Sequence, residues 1–286
     1  MPDYSYIGEM LGILGATGTL IIPGLPALNW NGQAVGENGA STTVTAVKNA
    51  SGLSAVATYA PGSRKAFTKS TYYKGRGAIP LVRLNGTTEY LTIPDEAYWE
   101  ANNNPTTNTD VAFSYLVWFI QNSSGRQMLF SKSLAQSTNG EYQLEIQTDA
   151  SAEARLRDFS AAVSAVLITP ASKVIYGRLM SVGFTYNGIG GATAVSAGNA
   201  EIFTNGVQES APTRTNSASY VAMENLTHAV RVGSSGDAGG FAFLNGAVSL
   251  VVFERAAWTA AQVTRLHAIG REALTPLPLA RFAGRR

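Results

Sequence analysis

The chain has 286 residues, with 21 Lys and Arg against 19 Asp and Glu and no cysteine. The net charge of +2 gives no whole-molecule case for binding polyanions, and the missing thiols exclude disulfides and Cys-ligated zinc. Only 14% of residues are charged while 29 are glycine, a texture that suits many short strands and turns better than long solvated helices.

The apolar run from Met10 to Leu28 is preceded by Asp3 and Glu9 and interrupted by Gly12, Gly15, Gly18, Pro23, Gly24 and Pro26. It fits neither a positively charged signal peptide nor a continuous spanning helix, so no membrane partner is expected. Residues 1–78 alternate Gly-rich turns with β-like runs such as Thr42 to Val47, and supply few large apolar residues for a core of their own. They are expected to form an extended N-terminal arm that packs on the rest of the chain or on neighbouring subunits. Between Arg64 and Arg83 the arm carries Arg64, Lys65, Lys69, Lys74 and Arg76, interleaved with Phe67, Tyr72 and Tyr73 and free of acidic residues. Basic residues with aromatics are the chemistry of single-stranded nucleic-acid binding. A charge run alone equally makes a solvated or docking face, and the expectation is an anchoring face without nucleic acid.

From residue 79 the pattern becomes that of a β sandwich. Leu81 to Ile93 reads as two strands around the Asn85-Gly86 turn. Tyr98, Trp99 and the polar loop with Asn102, Asn103 and Asn104 follow, a set able to stack on and hydrogen-bond a sugar. Val111 to Ile120 is apolar on both faces, with Phe113, Tyr115, Val117 and Phe119 on one and Leu116, Trp118 and Ile120 on the other. Because a sandwich strand normally shows one polar face, something must cover the second, and the arm or a neighbouring subunit is the economical candidate. Glu141 to Gln147 alternates cleanly, predicting Tyr142, Leu144 and Ile146 inward and Glu141, Gln143, Glu145 and Gln147 toward water or a polar ligand.

Met180, Val182, Phe184 and Tyr186 form another inward set, followed by the Gly-rich loop Asn187 to Ala192, and Asn205-Gly206 predicts a hairpin. Val248 to Phe253 reads as a buried strand. A helix then starts at the capping-box pair Thr259 and Gln262, with Val263, Leu266 and Ile269 at helical spacing and Gly270 as a candidate stop. Residues 274–286 form a Pro-broken basic tail.

The segment Gly246 to Val263 resembles the closing strand and helix of the laminin-G-like, concanavalin-A-like jelly-roll domains. Leu84 to Asp95, Phe113 to Phe119, Gln127 to Lys132, Gly140 to Ile146, Val182 to Gly188, Ile202 to Val207 and Val230 to Gly233 fall in that family's order. The resemblance implies an all-β, two-sheet antiparallel concanavalin-A-like jelly roll over residues 79–273, with a short C-terminal helix. Relatives that bind sugars or phospholipid usually carry calcium. The family's often acidic position in the closing strand is here Ser249, and its Trp and His before the Val182 strand are Leu179 and Ser181. Asp149, Asp158 and Asp237 are possible substitutes, each also readable as a turn residue. No cofactor is expected, and calcium has no support from the motif.

Glycoside hydrolysis needs two carboxylates about 5 Å apart for retention or about 6.5 to 9.5 Å for inversion. Glu141 and Glu145 share a strand face but are about 13 Å apart at strand rise, so no enzyme is expected. His228 and His267 lack a recognisable nucleophile motif. A lectin-like fold with no export signal and no cysteine suggests a structural virion protein of a bacterial virus, a capsid decoration or a head or tail fibre component. It would be held in a homo-oligomer or against other virion subunits through Leu116, Trp118, Ile120 and the basic segment. The alternative is a non-catalytic carbohydrate-binding module recognising cell-surface polysaccharide through Tyr98, Trp99 and Asn102 to Asn104.

Overall fold

The computed structural model describes residues 9–10, 12–14, 19–21, 43–48, 56–59, 82–93, 95–104, 109–133, 140–236 and 242–274. Strands β1 (Thr19–Ile21), β2 (Thr43–Lys48) and β3 (Val56–Tyr59) come from the N-terminal part. They are followed by β4 (Val82–Asn85), β5 (Leu91–Ile93), β6 (Asn102–Asn104) and β7 (Thr109–Asp110). The long strands are β8 (Phe113–Gln121), β9 (Gln127–Ser133), β10 (Gly140–Ile146), β11 (Ala152–Asp158), β12 (Val163–Ile168) and β13 (Leu179–Tyr186). Short strands β14 (Ala200–Thr204), β15 (Val207–Gln208), β16 (Thr213–Thr215) and β17 (Val230–Val232) lead to the closing strand β18 (Asn245–Glu254) and helix α1 (Ala260–Leu274).

All strand pairing is antiparallel, in two layers. The first runs β15, β14, β13, β8, β18, and β18 carries β4 on its first half and β1 on its second. The second runs β3, β5, β17, β9, β10, β11, β12, β16. Strand β2 pairs with β1 through one half and with β3 through the other, so it joins the layers along one edge. The expected arm is thus part of the sandwich backbone at β1 to β3. The basic residues Arg64, Lys65, Lys69, Lys74 and Arg76, together with Asp237 and the tail after residue 274, lie outside the described residues.

The alternation read from the sequence holds where one face is buried. Tyr142, Leu144 and Ile146 meet Phe113, Tyr115, Phe130, Phe184 and Phe253 in the core between the layers. These rings pack at centroid separations of 5.1 to 6.3 Å in tilted and offset pairs, the arrangement favoured by aromatic quadrupoles. Each such buried ring contributes roughly 1.5 to 3 kcal/mol through burial.

Two expected turns behave differently. Asn205 and Gly206 both have positive φ, 50° and 77°, and close the β14–β15 hairpin as expected of that pair. The Asn85-Gly86 turn does not close a hairpin. Asn85 Oδ1 accepts the N–H groups of Thr87, Thr88 and Glu89, and Gly86 at φ 76° redirects the chain. Consequently β4 stays on β18 in one layer while β5 crosses to β17 and β3 in the other. The side chain of Asn85 outcompetes ladder pairing for the local amides.

The second apolar face of β8 is covered by the chain itself. Leu116 and Trp118 pack under Val263, Leu266, Ile269 and Leu274 of α1, with Met10 and Leu14 of the N-terminal segment completing the cluster. Leu116 and Trp118 are buried and Ile120 is half-buried. The capping box forms as expected: Thr259 N–H donates to Gln262 Oε1 and Gln262 N–H to Thr259 Oγ1. Gly270 does not stop the helix, which continues to Leu274. It sits where α1 crosses Trp118, a place with no room for a Cβ. No helix among the described residues is long and apolar enough to cross a membrane.

Candidate functional site

The aromatic pair expected to stack on a sugar belongs to the core instead. Residues Ala97–Trp99 form a 3-10 turn that tucks both rings inward. Trp99 is 0% exposed and packs against Tyr98 and Phe253, each at 4.9 Å between centroids. Tyr98 donates its hydroxyl to Phe253 O. Neither ring offers a face to solvent, because each is worth more filling the end of the sandwich than exposed. Asn102, Asn103 and Asn104 form β6, paired with β7; their side chains lie outside the described residues. Leu116 and Trp118 are likewise removed from any external interface by α1.

The outer face of the second layer carries a cross-strand row of polar side chains. Register places Thr92, Arg231, Ser131, Gln143, Arg155, Val166 and Thr215 in one row across β5, β17, β9, β10, β11, β12 and β16. Glu145 and Glu153 sit opposite one another in the next row, with Ile168 and Thr213 beyond. The side chains are cross-linked. Arg126 donates Nε and Nη2 to the two oxygens of Glu145 at 2.7 and 2.5 Å, and Arg155 donates Nε and Nη2 to Glu153 Oε1. Gln147 Nε2 donates to both carboxylates, Arg157 donates to Gln143 Oε1, and Gln143 Nε2 donates to Ser133 Oγ. At the β5 edge the Arg231 guanidinium lies over the Tyr90 ring, 4.9 Å from its centroid.

This face is not evenly open. Over β9 and β10 it is closed: Ser131, Gln143 and Glu145 are 0% exposed, so the sequence expectation that Gln143 and Glu145 meet water is corrected. Over β11, β12 and β16 it opens. Arg155, Ser164, Val166 and Ile168 are half-exposed, Thr213 and Thr215 are exposed, and Phe159 projects at the start of the strip with 42% of its surface free. The sequence signal for this strip was present in Ala152 to Asp158, where Ala154 and Leu156 alternate with Glu153, Arg155 and Arg157. Only the cross-strand register reveals that Glu153 meets Glu145.

Burial raises the Glu153 carboxyl above its usual range, with the Arg155 charge opposing and that of Glu145 adding. Burial pulls Arg157 down to about 10, with like charge from Arg155 assisting. Both carboxylates are charge-compensated by an arginine and nearly closed off. The arrangement is therefore suited to holding fixed hydrogen-bonding groups rather than to nucleophilic attack or protonation of a leaving group.

A second polar cluster ties loops to this layer. Glu141, at a bulge in β10, accepts Lys132 Nζ and the N–H groups of Ala101 and Leu226. Lys132 Nζ also reaches Asp95 at 3.0 Å, Glu100 at 3.1 Å and Leu226 O at 2.6 Å. Glu141 thus turns from the strand face to the loops, against the expected outward orientation. Burial raises its carboxyl to about 8 and that of Glu100 to about 7, each opposed by the Lys132 charge.

The remaining candidates are structural. Asp149 Oδ1 accepts the amide and hydroxyl of Ser151, and Asp158 accepts the amides of Ala161 and Val221, as turn residues do. No group of three or more His, Cys, Asp or Glu among the described residues is arranged to hold a metal ion. His267 Nδ1 lies 2.8 Å from Ser181 Oγ, and its ring stacks on Trp118. Ser181 is fully buried, so the pair fastens α1 to the first layer. The backbone N–H of His228 donates to Leu226 O, within the loop held by Glu141.

No family model and no curated protein sequence matches the chain. Among solved structures it is similar to the binding domain of botulinum neurotoxin serotype G, with a TM-score of 0.52 and 13% identity over 90% of this chain and 51% of that one. It is also similar to the serotype D binding domain, with a TM-score of 0.51 and 12% identity over 79% and 48%. The chain therefore spans about half the length of these binding domains. A carbohydrate-binding module, the CBM40 of the Ruminococcus gnavus IT-sialidase bound to α2,3-sialyllactose, aligns with a TM-score of 0.48 and 13% identity over 65% of this chain and 96% of that one. At these identities the likeness is one of fold.

Proposed function

We propose that the protein is a non-catalytic carbohydrate-binding module that takes its ligand on the open strip over β11, β12 and β16. The observation that carries this reading is the pairing of a half-exposed apolar floor, Val166 and Ile168, with a rim of donors and acceptors. That rim comprises Arg155, Ser164, Thr213 and Thr215. A sugar ring offers the matching surface: C–H patches for the floor and hydroxyls for the rim. Phe159 supplies an exposed aromatic ring where the strip begins. Arg155 is held by Glu153, which Gln147 fixes in turn, and this reduces the ordering cost of binding.

The test is a glycan array with the intact protein, followed by calorimetry on any sugar retained. Saturable binding that weakens by about tenfold in Val166→Glu, with the melting temperature unchanged, is the expected result. An array without retained sugars, or binding indifferent to every substitution on β12, overturns the reading. The virion-subunit reading that the sequence suggested first, from a lectin-like fold with no export signal and no cysteine, also leaned on an apolar strand face needing a partner. Met10, Leu14 and α1 meet that need within the chain, so the carbohydrate reading takes precedence.

A further inference from the structure

The geometry points to a saccharide carrying an acidic group as the ligand of this strip, with Arg155 as the residue that selects for it; the inference rests on the carbohydrate-binding reading above. A guanidinium has five N–H donors in a rigid plane. Arg155 turns Nε and one Nη2 donor onto Glu153 Oε1, leaving Nη1 and the second Nη2 hydrogen on the far edge. That edge is a fork matched to a carboxylate or sulfate. The side chain is 23% exposed and Glu153 only 5%, so the free edge belongs to the reachable part of the pair. It is also held still: Glu153 is fixed from its other oxygen by Gln147 at 2.6 Å.

A neutral sugar leaves that edge unpaired, whereas one with a carboxylate or sulfate on the Arg155 side gains a charge-assisted, two-pronged contact.

The experiment titrates the intact protein with three oligosaccharides of equal length, one neutral, one of hexuronic acids and one sulfated, with inorganic sulfate as a separate arm. Acidic saccharides are expected to bind about tenfold or more tightly than the neutral one. Added salt should diminish this preference, Arg155→Lys should reduce it because an ammonium cannot fork, and Arg155→Gln should abolish it. Equal binding of the neutral sugar overturns this inference and leaves the carbohydrate reading standing, whereas no binding of any sugar overturns both. Acidic binding that survives Arg155→Gln overturns the assignment to Arg155, and sulfate alone binding as tightly as the sulfated sugar overturns the saccharide. If Arg155→Gln melts early because Glu153 loses its partner, the double variant Arg155→Gln, Glu153→Gln removes both charges and gives the same reading.

Discussion

Glu145 and Glu153 face each other directly across β10 and β11, and a single nitrogen, Gln147 Nε2, donates to both, at 3.0 and 2.6 Å. Like charges in opposed cross-strand positions are destabilising. The pair persists because Arg126 and Arg155 each neutralise one carboxylate while the amide bridges them. The amide is neutral and donates twice, properties shared by none of the other residues of its size.

Replacing the bridge should discriminate its two contributions. Gln147→Ala loses the hydrogen bonds and is expected to cost roughly 1 kcal/mol. Gln147→Glu puts a third carboxylate among two and should cost on the order of 3 kcal/mol near neutral pH. The introduced acid is raised in the folded state, so its penalty is absent below the unfolded carboxyl range and grows as pH rises. Urea unfolding at pH 4.5 and 7.5 should therefore show the gap between the two variants narrowing in acid.

The Lys132 cluster sets a pH dependence of definite sign. Burial raises Glu141 to about 8 and Glu100 to about 7, well above the usual carboxylate range, so the folded state holds these protons more tightly than the unfolded one. Their favourable contribution is complete below about pH 4.5 and is lost as pH climbs through 7 to 8. The thermal midpoint should fall across that interval, and Glu141→Gln should flatten the decline. A midpoint that climbs over the same interval in both proteins would contradict the cluster's assigned protonation.

Gly270→Ala in α1 offers a case in which propensity and packing oppose each other. Alanine favours a helix interior over glycine by about 1 kcal/mol. A Cβ at this position would lie 2.4 Å from Trp118 Cζ2 and 2.6 Å from Cε2, within a ring already stacked on His267. The clash is expected to prevail, with a net loss of about 1 to 3 kcal/mol in chemical denaturation.

Trp99→Ala is expected to remove about 3 to 5 kcal/mol of stability, visible as an early unfolding transition. Any loss of sugar binding should follow the fraction unfolded. Binding that disappears in a variant of native stability would return Trp99 to the ligand surface.

Period-two alternation and turn chemistry made much of the sandwich legible. Tyr142, Leu144 and Ile146 announced their face, and Asn205-Gly206 announced its hairpin, because each is decided by neighbours within a few residues. The Asn85-Gly86 turn misled for the opposite reason: its dipeptide is a hairpin signal, but the amides of Thr87 to Glu89 were claimed by Asn85 itself. Trp99 misled because an aromatic beside an Asn-rich loop reads alike whether it points in or out. The open strip stayed hidden since its members, Arg155, Val166 and Thr215, become neighbours only through register across β11, β12 and β16. Leu116 and Trp118 correctly signalled a buried second face, while the identity of their cover depended on a helix more than a hundred residues downstream.

Strand β2 belongs to both layers, bonded to β1 through Ala46 to Lys48 and to β3 through Thr43 to Thr45. It works as a seam, and a seam makes separation on that side a shared event: neither layer sheds its edge there without unfastening the other. Mechanical pulling from the N-terminal side would load both sheets at once, through a stitch only six residues long.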